Sequence, residues 1–343
     1  MITLAIIKRL LEVAIVDLFE SLKAKITNRQ FKIVFPEGTE PRIIGAAARL
    51  NADRILKPIL IGATNDIQQI AAAKGFNLDE IAIIDPQKYP TADFEKMVTA
   101  FVERRQGKIT PEQAQTILQD PNYFGTMMVY LNLADGMVSG AVHSTGDTVR
   151  PALQIIKTKP GVQRTSGAFI MQRGRDNERY LFSDCAININ PNAQELAEIA
   201  VESAKTAELF DIDPKVALLS FSTLGSAKAD EVTKVQEAAR IAHEIAPDLT
   251  IDGELQFDAA YVPVVANQKA PDSKVAGQAT VFVFPELQSG NIGYKIAQRF
   301  GNFEAIGPIL QGLNQPISDL SRGSNEEDVY KLAIITAAQA LQN

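Results

Sequence analysis

The sequence has no tryptophan, one cysteine and two histidines. A lone thiol, Cys185, cannot close an intramolecular disulfide, so the expected home is a reducing one, the cytoplasm. His143 and His243 lie far apart, and no Cys/His spacing of a zinc site occurs. There is no Gly-x-Gly-x-x-Gly after a strand-like run and no Walker-type loop, so any phosphate has to be bound by other means. Long apolar runs are missing too. The apolar stretch at 1–16 is broken by Lys8, Arg9 and Glu12, too early to span a bilayer. It reads as a helix packed on the body, or as an added start ahead of Asp17, and not as a signal peptide. Nor is there an excess of basic charge: 34 Lys and Arg stand against 41 Asp and Glu. That balance argues against a broad nucleic-acid surface but allows local basic pockets. No nucleic-acid or membrane partner is expected.

What is present is 343 residues, enough for two domains, with 46% hydrophobic and 22% charged residues. Phe31–Phe35, Pro58–Gly62 and Ile81–Asp85 read as buried strands, with helices over 40–50 and 65–74 between them. This alternation is the rhythm of an α/β domain with a mainly parallel sheet. Further helices are expected over 92–105, 111–118 and 147–157, and a strand over 135–142. From 162 onward two strand-like runs flank the very polar Arg173-Gly-Arg-Asp-Asn-Glu, an antiparallel hairpin. A helix over 192–209, a strand over 216–222, a helix over 228–245 and strands near 250–253 and 281–284 follow. The division expected is 1–153 plus 304–343 as a first domain and 154–303 as a second, with a cleft between them.

The densest chemistry is near the end, in Gly312-Leu-Asn-Gln-Pro-Ile-Ser-Asp-Leu-Ser321-Arg322-Gly323-Ser324-Asn-Glu-Glu-Asp328. Ser324 followed by Glu327 reads as a capping box ahead of an apolar helical run. Free N–H groups and the helix dipole attract anions there, and Arg322 adds a fork suited to phosphate or carboxylate. Asp328, in the first helical turn, is a possible base. On spacing alone the same residues also fit a capped helix with a solvated arginine. Gly140-Ala-Val-His143-Ser144-Thr145-Gly146-Asp147 follows a strand and opens a helix, either an anion site or a polar loop capped by Asp147. Ser220–Ser226 and Phe284–Lys295 occupy similar positions. Asp252, Glu254 and Asp258 gather near a strand end, where capping is the commoner use and magnesium the rarer. No metal is expected.

Taken in order, Phe35-Pro-Glu-Gly, Ala134-Asp-Gly-Met-Val-Ser-Gly-Ala, Ser144-Thr-Gly-Asp-Thr-Val-Arg-Pro, Phe182-Ser-Asp-Cys-Ala, Asp252-Gly-Glu-Leu-Gln-Phe-Asp, Phe284-Pro-Glu-Leu, Gly290-Asn-Ile-Gly-Tyr-Lys and Asp319-Leu-Ser-Arg-Gly resemble the phosphate acetyltransferase, or phosphotransacetylase, family from about Asp17 onward. The resemblance implies the reversible reaction of acetyl-CoA and phosphate to acetyl phosphate and CoA, by direct transfer in a ternary complex. It implies two three-layer αβα domains related to the isocitrate and isopropylmalate dehydrogenase fold, a homodimer, and coenzyme A as substrate with no tightly bound cofactor. Its catalytic residues fall on Ser321, Arg322 and Asp328. Its cleft arginines fall on Arg150 and on Arg105, with Arg104 adjacent. Ser144, Thr145, Gly146, Asn291, Tyr294 and Lys295 are the further substrate-binding candidates. Where many relatives place a cysteine after Ser-Arg-Gly, this chain has Ser324. Phosphate butyryltransferases and a non-catalytic acetyl-CoA-sensing module are the rival readings.

Overall fold

A computed structural model describes residues 18–174 and 178–342. The expectation for 1–16 lies outside the described residues.

The first unit is built on five parallel strands: β1 (Lys32–Phe35), β2 (Lys57–Ile61), β3 (Ala82–Ile84), β4 (Gly136–Ser139) and β11 (Ile317–Asp319). Their order is β11-β4-β1-β2-β3. Both faces are covered. Ile33 and Phe35 point into a core made with α1 (Leu18–Ile26), α2 (Pro41–Ala52), α3 (Thr64–Lys74) and α13 (Glu326–Gln339). Val34, between them, points to the opposite core with α4 (Thr91–Arg105), α5 (Pro111–Ile117), α6 (Pro121–Tyr130) and α7 (Thr145–Pro151). This is the period-two alternation of a strand buried on both sides.

The second unit is a mixed sheet of β5 (Ser166–Arg173), β6 (Glu178–Ser183), β7 (Lys215–Leu219), β8 (Thr250–Leu255), β9 (Val281–Val283) and β10 (Glu304–Gln311), ordered β10-β5-β6-β9-β7-β8. β5 and β6 form the expected antiparallel hairpin. α8 (Ala193–Leu209) and α9 (Asp230–Ile245) cover one face. α10 (Phe257–Tyr261), α11 (Pro263–Lys269) and α12 (Leu287–Phe300) follow on the side of the aromatic core around Phe282. The apolar core that includes α13 and α2 continues through α8 and α9, so the two units meet directly.

Three expectations change. Glu304–Gln311, given to the first domain from the sequence, is β10 and pairs with β5 in the second sheet; the chain returns to the first sheet only at β11. The helix expected over 147–157 stops at Pro151 and continues as a π-helical turn over Ala152–Ile156. Proline has no N–H to give the residue four back, so the ladder shifts register there. The capping box sits one residue later than expected, on Asn325 and Asp328.

Candidate active site

Parallel strands deliver their carboxyl ends to one edge, where open α/β sheets gather ligands. Here β11 and β4 are neighbours. Asp319 pairs with Ser139, and the Leu320 N–H donates to the Ser139 carbonyl at 2.7 Å. The Ser321–Ser324 turn and the loop after Ser139 therefore leave the sheet side by side. Gly140 makes the approach possible: its φ is +112°, and a Cβ there would stand 2.6 Å from the Leu320 carbonyl oxygen.

Glu37 fills that loop from within. Its carboxylate is buried and accepts the N–H groups of Gly140 (3.1 Å) and Ala141 (2.8 Å) on Oε2, and those of Val142 (2.8 Å) and His143 (3.0 Å) on Oε1. His143 Nδ1 lies 2.7 Å from Oε1 as well. The N–H groups of Gly140 to His143 are thus occupied by an internal anion and not left for a substrate. Ser144 is also committed: its N–H (3.2 Å) and hydroxyl (2.7 Å) both donate to Asp147 Oδ2, which holds the Asp147 carboxyl below its ordinary value. Thr145 and Gly146 remain exposed, and Arg150 Nη2 lies 3.8 Å from where a Gly146 Cβ would stand.

The adjacent arginines divide their work. Arg104 donates from Nε to the Ile155 carbonyl and from Nη2 to that of Ile156 (2.8 Å), and its guanidinium lies 5.0 Å from the Tyr130 ring centre. It secures the π-helical turn. Arg105 is different: among the described residues its buried Nε has no hydrogen-bond partner. Burial pushes the Tyr123 hydroxyl up, while Arg150 and Arg105 both act on it in the opposite sense, so both guanidinium groups share its surroundings. Lys157 is pulled below its ordinary value, by Arg104 first, then by burial, Lys108 and Arg105. This is a patch of like charge that a polyanion would relieve.

A cavity of about 690 Å³ lies between α12, β10 and the Ser321–Ser324 turn. Ser321, Asp328, Tyr294, Arg299 and Lys331 are in its wall. Tyr294 is stacked on Phe169, ring centres 4.2 Å apart. Asn291 and Lys295 are outside this wall. Lys295 Nζ donates to Asn291 Oδ1 (2.7 Å), and Asn291 Nδ2 donates to the Cys185 carbonyl (3.1 Å). Arg322 is exposed, and among the described residues no carboxylate or carbonyl pairs with its guanidinium. Asp328 is exposed as well, so the desolvation expected of a base is not provided by the protein alone.

Four further carboxyl groups separate by environment. Asp319, two residues before Ser321, is buried. Burial pushes it up to about 6 and the Glu37 charge adds to that, while the hydroxyls of Thr145 and Thr148 act against it. Asp252, Glu254 and Asp258 are each used locally: Asp252 accepts from Ser273, Glu254 from the Gly225 N–H (2.7 Å), and Asp258 pairs with Lys269 (2.9 Å). Cys185 is buried, and burial followed by the Asp184 charge pushes its thiol well up.

Sequence reasoning assigned no role to Glu37, Arg42, Asp319 or Arg299. Glu37 and Asp319 stand inside quoted motifs, but nothing local signals that Glu37 holds the loop after β4 or that Asp319 is buried.

The family model described as phosphate acetyl/butaryl transferase matches residues 17–337. A phosphate acetyltransferase of Bacillus subtilis (strain 168) is 62% identical over 325 residues, 95% of this chain and 99% of that one. The crystal structure of a phosphotransacetylase from Streptococcus pyogenes superposes with a TM-score of 0.94 at 62% identity, covering 96% of this chain and all of that one. A Salmonella typhimurium protein to which the name 4-hydroxythreonine-4-phosphate dehydrogenase is attached shares the fold alone, with a TM-score of 0.52 at 14% identity over 91% of this chain and 99% of that one. The chain belongs to the phosphate acetyl/butaryl transferase family.

Proposed function

We propose that the chain interconverts acetyl-CoA plus phosphate with acetyl phosphate plus CoA, passing the acetyl group directly between the two in a ternary complex. The carrying observation is the convergence of Ser321 and Asp328 on one cavity beside an unpaired Arg322, in a chain 62% identical to a phosphate acetyltransferase. In the acetyl-CoA-forming direction Asp328 takes the CoA thiol proton, because the thiolate is the better nucleophile. The sulfur bonds to the acetyl carbon, the bond to the phosphate oxygen breaks, and Arg322 holds the departing phosphate. The Ser321 hydroxyl donates to the oxyanion that forms between. Much of the acceleration is alignment of two bound substrates. Bound substrate supplies the desolvation that Asp328 lacks alone.

Arg105 and Arg150 take the phosphates of CoA, with Thr145 and Gly146 beside them and Tyr294 across the cleft. Ser144, Asn291 and Lys295 act through their neighbours. The walls are the two units, divided near 153 and between β10 and β11. CoA and acetyl phosphate are substrates, and no bound cofactor or metal enters the scheme. The lone buried thiol fits a cytoplasmic home.

A homodimer is part of this reading. Ile292, Ile296 and Phe300 form one stripe along α12, 57%, 53% and 86% exposed, and Phe257 lines the same apolar groove as Ile296 and Phe300. Contiguous apolar surface of this kind marks an interface. Light scattering should give twice the chain mass, and Phe300→Glu should shift it toward the monomer. The activity is tested by phosphate-dependent CoA release from acetyl-CoA, followed with a thiol reagent. Release from butyryl-CoA but not acetyl-CoA would replace the acetyl reading, and no release from either would favour a sensing module.

A further inference from the structure

Arg42, in the first turn of α2, is outside the cavity wall and every role given above. Its three guanidinium nitrogens are all committed. Nε donates to Glu40 Oε1 at 2.7 Å, and Glu40 is itself held as the N-cap of α2. Nη1 donates to the carbonyl oxygens of Arg322 (3.0 Å) and Ser324 (2.6 Å). Nη2 donates to the carbonyl of Ala141 (3.0 Å). Two of these carbonyls belong to the Ser-Arg-Gly turn. The third belongs to the loop whose N–H groups Glu37 holds. Neither Arg322 nor Ser324 lies in a strand or helix, so the ladder of neither element fixes their backbone.

We propose that Arg42 is the positioning residue of the transfer reaction: by gripping the backbone of Arg322 and Ser324 and tying it to Ala141, it sets the orientation in which the Arg322 guanidinium meets the phosphate. The proposal rests on the reading of Arg322 as the phosphate clamp. The turn's own bonds are few: the Gly323 N–H donates to Ser321 Oγ at 3.3 Å and the Ser324 N–H to the Ser321 carbonyl at 2.9 Å. Arg42 adds a grip from a rigid helix. Its planar fork reaches diverging carbonyls at once, which a single ammonium group cannot do. A clamp held in its working geometry before substrate arrives loses less freedom on binding, and small misplacements of such a group are costly to turnover.

The test is steady-state kinetics of Arg42→Met, Arg42→Lys, Arg322→Ala and the double variant Arg42→Met/Arg322→Ala, with folding checked by circular dichroism. Arg42→Met should lower kcat about tenfold or more and raise the KM for acetyl phosphate, while the KM for CoA stays within about twofold. Arg42→Lys should recover only part. If Arg42 acts through Arg322, the double variant loses no more than Arg322→Ala alone. A folded Arg42→Met with normal kinetics, equal KM shifts for both substrates, or a double variant whose loss is the product of the two single losses overturns the proposal. Should Arg42→Met fail to fold, Arg42→Lys is read by the same criteria. Normal kinetics in Arg322→Ala would instead sink the clamp reading; an impaired Arg322→Ala beside a normal Arg42→Met sinks the positioning role alone.

Discussion

Asp328 and Asn325 cap each other: the Asn325 N–H donates to Asp328 Oδ2 at 2.8 Å, and the Asp328 N–H donates to Asn325 Oδ1 at 3.0 Å. The proposed base therefore also finishes the helix that carries it, leaving Oδ1 for the thiol. Asp328→Asn can still accept the Asn325 N–H but cannot take a proton. It should keep stability within ~1 kcal/mol and lose about 10²-fold or more in kcat. The loss should shrink as pH approaches the CoA thiol pKa. A loss that is flat with pH would mean that Asp328 acts only as a cap.

The arginines should separate by kinetics. Arg105→Ala and Arg150→Ala should raise the KM for CoA, and any arginine that binds the 3′-phosphate should matter less with dephospho-CoA. Arg104→Ala should instead lower stability by ~1–3 kcal/mol, since it leaves the Ile155 and Ile156 carbonyls without their partner. A selective CoA defect in Arg104→Ala, with Arg105→Ala silent, would reverse the assignment.

Asp319 predicts a pH dependence of stability. Its folded pKa, about 6, is above the ordinary 3.8. The folded state therefore binds the extra proton between these values, and stability falls as pH rises through about 6. The full effect is ~3 kcal/mol at most. Asp319→Asn removes it, so in urea unfolding the variant should gain on the wild type from pH 5 to pH 8. A constant difference across that range would exclude a raised Asp319.

Cys185→Ala should retain most activity, because a buried thiol pushed well up is a poor nucleophile. Initial-rate plots against the two substrates should intersect. Parallel lines, together with a folded but inactive Cys185→Ala, would establish a covalent acetyl-enzyme instead.

The strands at β1, β2, β7 and β9 were legible because each is a short apolar run bounded by turn residues. β10 was not: Gly307-Pro308 stands in its middle, where the pairing with β5 shifts register, and such a pair reads as a break. α12 was legible only as the segment after a strand end. It follows Phe284-Pro285 and turns Ile292, Ile296 and Phe300 outward, so its apolar spacing does not mark the face, with Tyr294 and Ala297, that packs on the core. In the site, Ser321 and Asp328 could be found because they share one short segment. Glu37 and Arg42 could not. They serve backbone 103 to 106 and 99 to 282 residues away, and a side chain bound to distant main chain leaves no periodicity in sequence.

Glu37 has one more consequence. With four successive N–H groups already given to a resident carboxylate, the main chain from Gly140 to His143 has nothing left to offer a ligand. In the proposed scheme an arriving polyanion is left the exposed Thr145–Gly146 step and the side chains of Arg150 and Arg105. Ligand preference on this side of the cleft is therefore modular: side chains there can be exchanged to suit a different anionic carrier while the scaffold beneath them stays shut and unaltered.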